Sequence, residues 1–121
     1  MNKTILLVDD TETVLFFEKT MLKGKGFGIR TAKNGKLALD EVKKEKPDLI
    51  FLDIMMPEID GIETCRRLKE DPETSQIPVV MVTTKGEREM VEKAFQAGCN
   101  DYITKPVDRM ELLSKVSAYL A

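Results

Sequence analysis

Four short apolar runs punctuate the chain: Ile5-Leu6-Leu7-Val8, Leu49-Ile50-Phe51-Leu52, Val79-Val80-Met81-Val82 and the shorter Tyr102-Ile103. None alternates cleanly with polar residues. A strand with one face in water alternates, so uninterrupted runs of this length fit strands covered on both faces, as in a parallel sheet. A fifth segment, Gly28-Ile29-Arg30-Thr31-Ala32, alternates more and suits a place nearer a sheet edge.

Helical patterns fill the intervals. From Thr11 to Lys25, the residues Val14, Phe17, Met21 and Leu22 form one face at helical spacing, with Gly24 and Gly26 as the stop. Leu37, Ala38, Leu39 and Val42 recur from about Gly35 to Lys46 before Pro47 ends the segment. Ile62, Cys65, Arg66 and Leu68-Lys69 lead to the Asp71-Pro72 break, and Met90, Val91, Ala94, Phe95 and Ala97 precede Gly98, a C-cap. The last segment, from Asp108 to Leu120, repeats Leu112, Leu113, Val116, Tyr119 and Leu120, with Asp108 placed to cap it. Strand and helix therefore alternate five times with short connections. That order predicts a five-stranded parallel sheet with right-handed crossovers and helices on both faces, one α/β domain over residues 1–121.

Composition removes several classes of function. Nineteen basic against twenty-one acidic side chains leave a formal charge of −2, with no general pull towards nucleic acid or anionic lipid. The basic residues are spread along the chain, and no element remains to enter a groove, so direct DNA binding is not expected. The absence of histidine excludes histidine-based triads, histidine-ligated metals and any role as a phosphohistidine carrier. Cys65 and Cys99 share no CxxC spacing and read as two buried thiols, not a disulfide or zinc site. The apolar start is interrupted by Asp9-Asp10, and no stretch approaches the roughly 18 apolar residues of a membrane span; a cytoplasmic location is expected.

In a parallel α/β sheet, ligands bind beyond the carboxyl ends of the strands. Those ends are polar here. The first strand runs into Asp9-Asp10, the third into Asp53, the fourth into Thr83-Thr84 and the fifth into Thr104-Lys105-Pro106. Three carboxylates crowded at one edge repel, and a hard divalent cation such as Mg²⁺ relieves the conflict while sharing oxygens with a phosphoryl group. Lys105 and Thr83 then offer a charge and a hydrogen bond to phosphoryl oxygens. The set suits phosphoryl transfer to a carboxylate, where catalysis is mainly positioning and charge neutralisation. Each residue alone has an ordinary explanation as a helix cap, a strand end or a solvated lysine; the coincidence of all five at strand termini carries the reading.

With ILLVDD, PDLIFLDIMMPEIDGIE, IPVVMVTT and AGCNDYITKPV in this order, the chain from Lys3 to Leu120 resembles the CheY-like receiver domain of two-component response regulators. The resemblance implies a flavodoxin-like (βα)5 fold. It implies that Asp53 is the phosphoacceptor, served by the phosphohistidine of a histidine kinase or phosphotransfer protein, or by a small phosphodonor. Mg²⁺ would be held by Asp10 directly, by Asp9 largely through water, by Asp53 and by the Met55 backbone carbonyl. Thr83 would hydrogen-bond the phosphoryl group, and Lys105, ahead of a cis bond to Pro106, would pair with it. Thr83 and Tyr102 would form the switch, read by a downstream protein at the fourth helix, fifth strand and fifth helix. Gly61 would relieve backbone strain in the turn into the third helix. Such a domain catalyses only its own phosphorylation and dephosphorylation, and acts as a monomer or weak dimer.

Thr84 stands where many members of that family carry a smaller residue, and would narrow access to the site. Met55 and Lys85, two residues beyond Asp53 and Thr83, supply no carboxylate or amide to orient a water, so a moderately long-lived phosphoryl state is expected. If Val14, Phe17, Met21 and Leu22 face the core, Leu15 and Phe16 are left outside beside the acidic site, where the resemblance makes them docking residues for a phosphotransfer helix.

Other readings are weaker. A haloacid-dehalogenase-type phosphatase wants a second Asp where Met55 stands. An FMN carrier wants a phosphate-cradling loop where Asp9-Asp10-Thr11-Glu12 is acidic. A receiver excised from a longer response regulator or hybrid kinase, and a phosphorylation-independent interaction module, remain as alternatives.

Overall fold

Each apolar segment becomes a strand and each is followed by a helix: β1 Thr4–Val8, α1 Glu12–Leu22, β2 Gly28–Ala32, α2 Gly35–Lys44, β3 Leu49–Asp53, α3 Gly61–Glu70, β4 Val79–Thr84, α4 Arg88–Gln96, β5 Asp101–Lys105 and α5 Arg109–Leu120. The computed structural model describes residues 2–84 and 88–120; Lys85, for which a part in phosphoryl lifetime was expected, lies outside the described residues. The strands form one parallel sheet in the order β2-β1-β3-β4-β5. This is the expected flavodoxin-like arrangement. The alternating segment, β2, sits at the edge.

Continuous apolar strands follow from a sheet covered twice. Leu6, Val8, Ile50, Leu52, Val79 and Met81 face Ala38, Val42, Ile62, Cys65, Leu68 and Ala94, from α2, α3 and α4. Ile5, Leu7, Leu49, Phe51, Val80, Val82 and Ile103 face Leu15, Leu22, Leu112 and Val116, from α1 and α5. Neighbouring residues of one strand thus enter different cores, so neither face tolerates a polar residue. Cys65 and Cys99 are free and buried, as expected. Asn34, Asp60 and Asp108 cap α2, α3 and α5 by accepting from the amides of Leu37, Glu63 and Glu111 at 2.8, 2.8 and 2.9 Å.

Two expectations about α1 need correction. The helix ends at Leu22, before Gly24 and Gly26, whose φ values of +79° and +87° take the chain out of helical geometry. Its inner face is Leu15, Glu18 and Leu22, whereas Phe16 and Phe17 are exposed and Val14 and Met21 only partly covered. Leu15 is therefore a core residue packed with Phe51 and Leu112, not a docking residue; Phe16 alone of the expected pair is outside. The physical reason is Glu18. A glutamate at the centre of the buried stripe hides the spacing 15, 18, 22 and makes the neighbouring stripe, 14, 17, 21, look more apolar.

Candidate functional site: an acidic cluster at the strand ends

Parallel pairing brings the carboxyl ends of β1, β3, β4 and β5 to one edge of the sheet, where β1 and β3 are neighbours although their helices leave in different directions. At this point the connection order reverses, and a crevice opens between diverging helices. Asp9 and Asp10 follow β1, Asp53 ends β3, Thr83 lies near the end of β4, and Lys105 ends β5.

The carboxylates of Asp9, Asp10 and Asp53 bring one oxygen each within 4.8 Å of one another. Asp9 and Asp53 are buried and Asp10 is exposed, so the cluster opens to solvent on the Asp10 side. Asp9 Oδ1 accepts the Thr11 amide at 2.9 Å, which fixes the carboxylate plane. Its buried Oδ2 accepts no well-directed hydrogen bond; its compensation is the Lys105 ammonium, with Nζ 3.0 Å away. The same Nζ lies 3.4 Å from Asp53 Oδ1. Burial and then the Asp9 charge push the Asp53 carboxyl up to about 6, Asp10 adding to this and Lys105 opposing it. Burial works against charge on Lys105 as well, but contact with Asp9 and the charge of Asp53 outweigh it and hold the ammonium above the usual lysine range. One ammonium thus serves two buried carboxylates, with a third beside them. Three clustered carboxylates, two of them sharing one ammonium, make an all-oxygen donor set that fits a hard divalent cation.

The remaining expected residues fall around this centre. Thr83 is buried, paired in register with Thr104. The Lys105-Pro106 bond is cis, as expected. The Met55 side chain is exposed just beyond Asp53, and Thr84 is exposed at the end of β4. Tyr102 is 40% exposed on β5, its ring meeting that of Phe95 on α4 edge-to-face at 6.2 Å. Gly61 is needed for space, not for the strain relief expected: a Cβ there would stand 2.1 Å from the Asp53 carbonyl oxygen. Its amide donates to the Ile54 carbonyl at 2.8 Å, so α3 starts directly against the acceptor strand.

Two participants were not foreseen. Phe95 looked like one more apolar helix residue, and only the fold sets it against Tyr102. Glu18 carries no signal in the sequence. It is 2% exposed, and burial, then the Asp9 charge, push its carboxyl up to about 8, with Lys105 opposing and Asp53 adding to the rise.

The family model for the response regulator receiver domain matches residues 5–117. The chain belongs to the receiver-domain family of response regulators. PilH of Pseudomonas aeruginosa is 40% identical over 117 residues, which cover 97% of both chains. The alkaline phosphatase synthesis transcriptional regulatory protein PhoP of Bacillus subtilis is 39% identical over 120 residues, 99% of this chain but 49% of PhoP. The chain thus spans about half the length of some curated relatives and nearly all of others. The chemotaxis protein CheY4 of Vibrio cholerae superposes with a TM-score of 0.92 at 25% identity, covering 99% of this receiver and 100% of CheY4. Receiver domains of this family are signalling modules, not enzymes in the ordinary sense. They interact with histidine kinases and downstream targets and bind Mg²⁺ at an acidic pocket; the pocket formed by Asp9, Asp10 and Asp53 is of that kind.

Proposed function

We propose that the protein is a phosphorylation-dependent switch in which Asp53 accepts a phosphoryl group from the phosphohistidine of a histidine kinase or phosphotransfer protein. The observation that carries this reading is the cluster of Asp9, Asp10 and Asp53 within 4.8 Å, with the Lys105 ammonium 3.4 Å from Asp53 Oδ1. An Asp53 oxygen bonds to phosphorus as the phosphorus–nitrogen bond of the donor breaks, and the departing imidazole takes a proton from solvent. Lys105 pairs with the transferred group and the Thr83 hydroxyl donates to one of its oxygens. Asp9, Asp10, Asp53 and the Met55 carbonyl would hold Mg²⁺, which neutralises negative charge on phosphoryl oxygens. Water later displaces phosphate and restores the carboxylate. These self-directed steps are the only reactions assigned to the chain.

The readout follows from Thr83 and Tyr102. Drawing Thr83 towards the phosphoryl group frees space beneath β5, and Tyr102 leaves Phe95 to turn inward, which changes the face made by α4, β5 and α5. A downstream protein binds that face; neither nucleic acid nor membrane is a partner, and the receiver, one domain over residues 1–121, works in the cytoplasm as a monomer or weak dimer. Phe16, exposed on α1, contributes to kinase docking. With Met55 carrying no group to orient water, the phosphoryl state lasts longer than seconds.

Intact-mass measurement after incubation with a small phosphodonor and Mg²⁺ tests the reading. A hydroxylamine-labile phosphoryl adduct on the wild type, absent from Asp53→Asn and lost without Mg²⁺, is the expected result, and its decay gives the lifetime. No adduct with a panel of donors overturns it in favour of a phosphorylation-independent interaction module.

A further inference from the structure

Glu18 has no part in the chemistry above, yet it is one of the few buried charged side chains among the described residues. It borders a cavity of about 200 Å³ between α1 and the end of β5, lined by Val14, Phe17, Met21, Pro106 and Val107 and, at one end, by Lys105. Its carboxyl enters no hydrogen bond or ion pair among the described residues; burial and through-space charges alone act on it. Lys105 borders both this cavity and the acidic cluster, with its ammonium now turned to Asp9 and Asp53.

A divalent cation held by Asp9, Asp10 and Asp53 draws on the oxygens that Lys105 occupies. An ammonium and a dication sharing these carboxylates would repel, so a bound cation would favour a Lys105 turned away from Asp9 and Asp53. Its four-carbon stem is flexible enough to swing, but an apolar cavity is costly for an unpaired ammonium. Glu18 is the carboxyl on that side, and whether protonated or ionised it presents an oxygen that accepts from the ammonium. A leucine would suit the stripe between Leu15 and Leu22 better in the metal-free protein. The glutamate weakens the fold there, and its benefit must appear in another state.

We propose that Glu18 is a positioning residue for Lys105, accepting its ammonium on the cavity side when Asp9 and Asp53 turn to the metal. The inference rests on the phosphoacceptor reading of the site. Calorimetric Mg²⁺ titration tests it in the wild type, Glu18→Leu, Glu18→Gln, Lys105→Met and the Lys105→Met/Glu18→Leu double variant, beside metal-free melting curves. Losing one charge-assisted hydrogen bond at a half-open site weakens Mg²⁺ about five- to tenfold in Glu18→Leu, while its metal-free melting temperature rises. Glu18→Gln, which keeps an acceptor oxygen, restores most of the affinity. In the Lys105→Met background, Glu18→Leu changes affinity less than about twofold, because the group it served is gone. Equal weakening in both backgrounds overturns the proposal in favour of a through-space field of Glu18 on the cation, and no weakening in either overturns it outright. A wild type without saturable Mg²⁺ binding overturns the reading of the site together with it. Glu18→Met provides the same comparison if the leucine variant does not fold.

Discussion

Replacing Glu18 with glutamine should stabilise the metal-free protein, by an amount that depends on pH. In the unfolded chain the glutamate titrates near its ordinary 4.5, whereas in the fold its carboxyl is pushed to about 8 by burial and by Asp9. Between these values the folded state binds the proton and the unfolded state does not, so stability is fully present below pH 4.5 and falls as pH rises towards 8. Each pH unit in that window costs about 1.4 kcal/mol. At pH 7 the cost is about 3 kcal/mol, and at pH 5 it is under about 1 kcal/mol. Glutamine has nearly the shape of the protonated acid and carries no such cost. Denaturant unfolding of wild type and Glu18→Gln, in chelator-treated buffer at pH 5 and pH 7, should show a gain of about 2–3 kcal/mol at pH 7 that shrinks several-fold at pH 5. In thermal melts the pH 7 gain corresponds to about 10 °C for a domain of this size. A gain equal at both pH values, or none at pH 7, would refute the placement of an unpaired carboxyl in the core.

The Asp53 carboxyl, raised to about 6 in the metal-free site, makes protons compete with a cation for the cluster. The rise in melting temperature produced by Mg²⁺ should therefore be full above pH 7 and fade as pH falls through 6, and a rise unchanged at pH 5 would count against a cation at Asp53. Gly61→Ala places a Cβ 2.1 Å from the Asp53 carbonyl oxygen; it should cost about 1–3 kcal/mol and slow small-donor phosphorylation, whereas Gly24→Ala, at a turn with open space around it, should lose stability without slowing phosphorylation. Phe95→Ala removes the ring that meets Tyr102; the tyrosine should populate its inward rotamer more in the unphosphorylated protein, seen as changed Tyr102 ring resonances, and an unaltered spectrum would mean that Phe95 does not hold it.

The fold was readable because burial on both faces leaves strands with no freedom to alternate, and parallel topology then places every strand end at one edge. Asp53, Thr83 and Lys105 needed no more than that: each ends or nearly ends a strand, so one-dimensional position fixed three-dimensional place. Helix α1 was harder. A helical face is inferred from which residues look apolar, and Glu18 inverts the inference by occupying a buried position. The apparent stripe lies one residue away from the buried one, leaving Leu15 outside it and including Phe17, which the core does not contain. The need for Gly61 lies in crowding against Asp53, a tertiary fact that no local turn pattern contains. The Phe95–Tyr102 contact likewise joins residues on separate elements whose spacing carries no signal.

The features that cost this protein stability lie together. Asp9 and Asp53 are buried acids that share the Lys105 ammonium, Glu18 is a buried acid paired with none of the described residues, and burial pushes both Asp53 and Glu18 towards neutrality. A site in which charge is undersupplied responds strongly to any charge that enters. On the proposed reading, a dication would relieve three carboxylates at once, and a phosphoryl group on Asp53 would offer the Thr83 hydroxyl a new partner and Lys105 one more highly charged than Asp9 and Asp53. On that reading, the free energy released on each event would be available to move side chains that report on it, Lys105 towards α1 and Tyr102 away from Phe95. A core filled with leucine at position 18 and a fully paired lysine would be more stable, and a cation or a phosphoryl group would then have less to change.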